Sequence, residues 1–169
     1  MKKYLILFLM VLGSVATNAQ NCYFNLRFGS EKELSTAKFT NSNIGIQLGI
    51  FVTDGLALEL DYINGWEDNF MRHYSIGGNV VYHFSNYYKE EVVPYVKIGS
   101  GYKKYITDLG YSSGTNIKYG VGINVLLNNF LSLNLGINLQ HFLNNNEGGW
   151  EENIPTHSCE TEIGICFAF

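Results

Sequence analysis

The chain has 169 residues, of which 46% are hydrophobic and 15% aromatic, and its formal net charge is −4. This length fits one domain. The negative charge argues against nucleic acid as a partner, because nucleic-acid binding requires a clustered basic surface.

The first element along the chain is a short apolar leader. Two lysines precede an apolar run from Leu5 to Ala16, and small residues follow as far as Ala19. The run is too short to cross a bilayer of about 30 Å as a helix, and the pattern is typical of a secretory signal peptide. We therefore predict a signal peptide at 1–19 and a single barrel domain at 20–169.

The three cysteines set limits on covalent chemistry. A lipid anchor on Cys22 is the alternative to cleavage after Ala19, but Asn21 stands where such sites need a small residue. Cys159 and Cys166 fall on one predicted strand, about 23 Å apart at ~3.3 Å per residue. They cannot bridge each other, so we expect buried, unpaired thiols.

Eight segments alternate apolar and polar residues with a period of two, which is the pattern of strands. In the sixth segment, for example, Ile117, Tyr119 and Val121 alternate with Lys118 and Gly120. An amphipathic helix would instead need apolar residues at i, i+3 and i+4. We predict strands at approximately 22–29, 42–51, 56–64, 70–84, 92–105, 115–127, 130–142 and 158–169.

The predicted connections alternate between short and long. Residues 52–55 and 128–129 are tight turns built on Asp-Gly and Asn-Asn, and 85–91 is a medium turn. The connections 30–41, 65–69, 106–114 and 143–157 are mostly longer. Membrane barrels place short turns in the periplasm and longer loops outside. Polar faces rich in Gly, Asn, Ser and Gln suit a hydrated interior, whereas the apolar faces suit lipid.

The eighth segment ends in EIGICFAF, with a terminal aromatic residue. This pattern resembles the signal read by the machinery that assembles outer-membrane barrels, with Glu162, Gly164, Phe167 and Phe169 as its marks. With the hairpin FVTDGLALEL, it makes the chain similar to the small outer-membrane β-barrel family of the OmpX and OmpA transmembrane-domain type, a porin-like fold. The resemblance implies an all-β, eight-stranded antiparallel transmembrane up-and-down barrel in the outer membrane. Its implied partners are outer-membrane lipid and the assembly machinery.

Turning the polar faces inward points eight charged side chains into the barrel, four of each sign. An ionised group in a narrow interior is costly unless it is paired, so we predict a salt-bridge network that plugs the lumen. A proton or ion path is the alternative. The eight residues are Arg27, Glu59, Asp61, Lys97, Lys103, Lys118, Glu160 and Glu162. The glycines expected to make room for them are Gly45, Gly49, Gly99, Gly101, Gly120, Gly122 and Gly164.

Histidines near the predicted outer rim are the candidates for a catalytic site. A hydrolase needs a serine within reach of a histidine, but His157 and Ser158 are adjacent in a strand and point to opposite faces. We expect His73, His141 and His157 to lie at the membrane interface, with no catalytic residues and no cofactor.

An acidic segment before the eighth strand is the candidate for metal binding. Glu147, Glu151 and Glu152 with His157 offer ligands for Ca²⁺, but their spacing fits no ligand motif. We therefore predict a solvated loop and no metal site.

Exposed tryptophans are the candidates for recognition by external loops, namely Trp66 and Trp150. Other aromatic residues, among them Phe51, Tyr105 and Phe142, fall near strand ends, where they would form two interfacial belts.

The function predicted from the sequence is a structural or surface-interaction barrel whose surface ligand or protein partner is unknown. A small pore or solute-binding barrel is the alternative. A lipid-modifying enzyme and a soluble lipocalin-like carrier, with its apolar face turned inward, are further alternatives.

Overall fold

The computed structural model describes residues 22–34, 40–66, 71–85, 90–107, 110–144 and 156–168. Within them the chain forms eight strands, one for each predicted segment. They are β1 (Cys22–Glu33), β2 (Thr40–Phe51), β3 (Leu56–Trp66), β4 (Met71–His83), β5 (Val92–Thr107), β6 (Gly110–Leu126), β7 (Leu131–Asn144) and β8 (His157–Ala168). Among the described residues, no helix has the length and apolar character needed to span a membrane.

The strands close into a barrel. Each strand pairs antiparallel with the next, and β1 also pairs with β8, from Tyr23 opposite Ala168 to Glu33 opposite Ser158. Closure leaves no sheet edge, so every strand has hydrogen-bonding partners on both sides, as a structure in lipid requires. The predicted eight-stranded antiparallel fold is confirmed.

Apolar and polar residues are distributed inside out relative to a soluble barrel. On β3, Leu58, Leu60 and Tyr62 are exposed, whereas Glu59 and Asp61 between them are buried. The same alternation places charged and amide side chains in the interior and aliphatic ones on the outside. This distribution suits a lipid surround, and it excludes the soluble carrier, which would need an apolar interior.

One end of the barrel, here called the turn end, carries the tight turns at 52–55 and 127–130. Main-chain bonds close them, from Val52 N to Leu56 O at 2.7 Å and from Leu127 N to Leu131 O at 2.9 Å. The Asn128 side chain also accepts from Leu131 N at 2.9 Å. These turns lie where the sequence predicted them.

At the other end, here called the loop end, two predicted loops are too long. Residues 106–114 were expected to form a loop, but β5 continues to Thr107 and β6 begins at Gly110. Residues 30–33, also predicted as loop, continue β1. Small polar residues such as Ser112 and Gly114 resemble a loop in composition, yet they fit the interior opposite Tyr105 and Lys103. Continued main-chain pairing therefore overrides the local composition.

Candidate functional site

All eight charged residues assigned to the interior are buried there. At the centre, Arg27 on β1 contacts two carboxylates of β8, bonding to Glu160 and reaching Glu162 with Nη1–Oε2 at 2.8 Å. Lys97 on β5 approaches Glu162 from the other side, with Nζ–Oε1 at 2.7 Å. The four side chains form one connected ion network, called here the central network.

Amide and hydroxyl groups complete the bonding of the central network. Glu160 accepts from Asn43 at 2.8 Å and from Gln140 at 2.7 Å. Glu162 accepts from Asn138 at 2.9 Å. Buried charges are tolerated only when such bonds accompany their pairing, so the Asn and Gln residues of the inner face are part of the site. The polar face suggested a hydrated wall but not this specific role.

The remaining two acids predicted for the interior have different environments. Asp61 on β3 accepts from Lys118 on β6 across the lumen at 2.5 Å. Glu59 accepts from the Tyr23 hydroxyl at 2.5 Å and from Asn79 at 3.2 Å. Among the described residues, no cation lies within ion-pair distance of Glu59. Of the four acids predicted for the interior, Glu59 is therefore held by neutral donors and not by an ion pair among the described residues.

A ninth charged residue, Glu31, was missed. Lys103 Nζ donates to both oxygens of its carboxylate at 2.7 Å, and the Ser158 hydroxyl donates to Oε1 at 2.5 Å. His73 Nε2 lies 3.6 Å away. The sequence prediction ended strand one at residue 29, which left Glu31 in a loop. Alternate residues of a strand share a face, so Glu31, four residues after Arg27, would point inward if the strand continued. This spacing was the signal that could have identified it.

Glycines opposite the large polar side chains make room for them. A Cβ on Gly49 would lie 2.1 Å from Cζ of Tyr23, and one on Gly120 would lie 2.7 Å from the Lys97 side chain. Real Cβ atoms do not approach this closely, so a side chain at either position would displace its neighbour. Of the inward glycines predicted from the sequence, Gly45 and Gly120 lie against charged side chains, whereas the nearest atoms to Gly101 are main-chain atoms of Ile76 and Gly77.

The turn end of the lumen is filled by a mainly apolar cluster. Its buried members are Tyr23, Phe51, Ala57, Val81, Val93, Tyr95, Cys166 and Ala168. Between this cluster and the central network lies a cavity of about 10 Å³ bordered by Glu59, Lys97, Asn25 and Gln47. It has room for about one water molecule.

Several rim assignments need correction. His73 was expected at the membrane interface, but it is buried inside beside Glu31 because it falls on the inward face of β4. Phe51, Tyr105 and Phe142 were expected in the aromatic belts, yet they are also buried inside. Their strand positions have inward parity, which the clustering at strand ends did not take into account.

The other histidines and the cysteines divide by strand face. His141 is half-buried and His157 exposed, and both lie on the outer surface. Ser158 points inward, so it does face away from His157. Cys166 is buried as expected, but Cys22 and Cys159 are only half-buried because their side chains point outward.

The candidate recognition and insertion residues lie partly outside the described residues. Trp66 ends β3 with its side chain exposed, whereas Trp150, Phe169 and the segment predicted as a signal peptide lie outside the described residues. So do the acidic residues Glu147, Glu151 and Glu152. Of the insertion marks that are described, Glu162 and Gly164 point inward and Phe167 lies on the outer face.

Comparison with known proteins identifies relatives only by structure. No family model and no curated protein matches the chain. Neisserial surface protein A is similar to it with a TM-score of 0.68 and 18% identity, over 88% of this chain and 96% of that one. The N-terminal barrel of Pseudomonas aeruginosa OprF has a TM-score of 0.64 and 18% identity, over 87% and 97%.

A third similar structure is Ail, the attachment invasion locus protein of Yersinia pestis. Its TM-score is 0.53 at 12% identity, over 88% of this chain and 97% of that one. Identities this low establish the fold alone. Strand number, closure, inside-out polarity and these likenesses together show that the chain has the fold of the small eight-stranded outer-membrane β-barrels.

Proposed function

We propose that the protein is an outer-membrane barrel with a closed lumen and a structural or surface-interaction role exercised at its loop end. The observation that carries this proposal is the continuous filling of the interior. The apolar cluster occupies the turn end, the central network crosses the middle, and the Lys103–Glu31 pair spans the loop end. An eight-stranded barrel has an interior only wide enough for side chains, so these groups plug it.

The outer surface near the loop end supports contact with the membrane interface. Exposed Trp66 pairs in register with exposed Arg72. Lys104 lies over the ring of Tyr111, with Nζ 3.9 Å from the centroid. Aromatic rings with cations are typical of the headgroup level of a membrane, where phosphate-bearing outer-membrane lipid would be the partner. We therefore place the loop end at the outer leaflet and the turn end in the periplasm.

Surface interaction is the second part of the proposal. Ail is named for attachment, and it has been solved with the heparin analogue sucrose octasulfate. For this chain, the corresponding contacts would come from the segments between strands at the loop end, including Trp150.

Location and barrel assembly are tested together by cell fractionation and by gel mobility with and without boiling. We expect the native protein in the outer membrane with a mobility shift on boiling. Deleting Phe169 should reduce the folded fraction, because the terminal aromatic is the proposed insertion mark. Phe84→Ala is the matched control, since Phe84 is an exposed aromatic at the turn end, and it should leave the shift intact. A soluble protein with no shift would contradict the proposal.

A small pore is the second candidate, because several buried polar atoms of the interior have no partner among the described residues. They include Ser75 Oγ, Asn116 Oδ1 and both polar side-chain atoms of Asn41. Buried polar atoms are almost always hydrogen-bonded, so ordered water is expected near them. Conductance across planar bilayers decides between the candidates. A plugged lumen gives no steps above background, whereas regular single-channel steps would favour the pore.

A further inference from the structure

A pair of histidines lies on the outer surface at the loop end of the β7–β8 hairpin. His141 and His157 are directly opposite in the strand register, and their ring centroids are 4.4 Å apart at an interplanar angle of 43°. The other two histidines of the chain, His73 and His83, are buried inside. The outward pair takes no part in the interior networks, and the closed-lumen function does not explain it.

The backbone holds the two rings in place. Phe142 N donates to Thr156 O at 2.9 Å, and Leu34 N donates to His157 O at 3.1 Å. The hairpin is therefore still paired at the level of the histidines and is bonded to the end of β1. A pair fixed on a sheet loses little conformational freedom on binding a ligand, which favours affinity.

The hydrogen bonding of the rings indicates which nitrogens can bind. Nδ1 of His157 lies 3.1 Å from Thr156 Oγ1. When Nδ1–H donates to this hydroxyl, Nε2 carries the free lone pair, the arrangement by which metal-ligating histidines are usually oriented. Nδ1 of His141 is buried and has no partner within the described part of the chain. Its Nε2 is the nitrogen left to meet a ligand.

The spacing fits one transition-metal ion. Imidazole nitrogens bind Zn²⁺ at about 2.0–2.1 Å, and two imidazoles in adjacent coordination positions then have ring centroids about 5 Å apart. The observed 4.4 Å is close to this separation. Imidazole is a ligand for Zn²⁺, Ni²⁺ and Cu²⁺, whereas Ca²⁺ and Mg²⁺ prefer oxygen. We propose that His141 and His157 form a two-histidine site for a divalent late first-row transition metal.

The remaining coordination positions would be filled by water. Within the described residues, no cluster of three or more His, Cys, Asp or Glu side chains is arranged to hold a metal. Cys159 lies on the same outer face but opposite Leu139, two register positions from the histidine pair. The site is thus open and exchangeable, unlike a closed structural site with four protein ligands.

The test is calorimetric titration of the refolded full-length mature barrel with NiCl₂ and with ZnCl₂ in detergent. We expect one ion per chain. Loss of an outer-shell partner alone typically costs about 10–100-fold in metal affinity, so His141→Gln and His157→Gln should each weaken binding by about tenfold or more. The double variant should not bind. Both rings point outward, so the variants should keep the mobility shift on boiling that reports a folded barrel.

Cys159→Ser is the matched control on the same face and should bind as the native protein does. The buried His73 and His83 remain in every variant, so any binding they contribute stays constant. Absence of binding by the native barrel, unchanged binding by the double histidine variant, or loss of binding in Cys159→Ser would each overturn the proposal. The fractionation and conductance measurements do not depend on this metal site. Failure of the metal proposal can therefore be distinguished from failure of the proposed function.

Discussion

Lys103 and Glu31 meet across the interior of the barrel, with the lysine Nζ 2.7 Å from both carboxylate oxygens. Their strands, β5 and β1, are four apart in a ring of eight, so the pair spans the lumen between opposite walls. Both side chains are almost wholly removed from solvent. The contact thus braces the loop end from within.

Replacing Lys103 with Met should lower the free energy of unfolding by about 3–5 kcal/mol, because it leaves the Glu31 carboxylate buried without its cation. Urea unfolding in lipid vesicles, followed by tryptophan fluorescence, measures this change. The double variant Lys103→Met/Glu31→Gln removes both charges and should be more stable than the single variant. An unfolding midpoint equal to that of the native protein would show that no buried pair exists there.

Replacing Lys97 with Met should cost less than replacing Lys103. Glu162 loses one cation in this variant but keeps Arg27 and the bonds from Asn138 and Tyr95. The carboxylate therefore stays paired, and the full penalty of about 3–5 kcal/mol for a stranded charge does not apply. The same unfolding assay compares the two variants. A larger loss for Lys97→Met would mean that Arg27 does not compensate.

Glu59→Gln should be nearly neutral, within about 1 kcal/mol, while Glu160→Gln should be strongly destabilising. Glu59 contacts no cation, and Asn79 Oδ1 has no partner in the described residues, so a flipped Asn79 can accept from the new amide. Glu160 instead accepts from Arg27 at one oxygen and from Gln140 at the other. A glutamine amide nitrogen in either position would therefore face a donor. Equal unfolding midpoints for the two variants would contradict this distinction.

Gly49→Ala should impair folding, because its Cβ would lie 2.1 Å from the ring of Tyr23. Moving that ring also breaks the bond from its hydroxyl to Glu59. Gly78→Ala is the matched control, since its Cβ meets only Glu59 O at an ordinary 3.6 Å. We expect a reduced folded fraction for Gly49→Ala alone, measured by the mobility shift. Equal folded fractions for both variants would show that the Tyr23 ring or the strand at Gly49 shifts to accommodate the methyl group.

The number of strands and the inward face of the charged residues could be predicted from the sequence, because a period of two is a local property. The buried positions of Arg27, Lys97 and Glu160 followed from that parity. The partners did not, because Lys103–Glu31 and Lys118–Asp61 join strands that are not neighbours. Such contacts depend on how the barrel closes and on how far each side chain extends across the lumen. Neither can be read from the alternation of residues along the chain.

Arg27 has a consequence for the order of assembly. Its two carboxylate partners, Glu160 and Glu162, both come from the strand that seals the ring. Until β8 meets β1, this guanidinium lacks both of these carboxylates. If β8 paired with β1 two residues out of register, Gly164 or Ser158 would stand in the place of one carboxylate. The buried charge of Arg27 therefore favours the single register of β1 with β8 in which both carboxylates face it when the barrel closes.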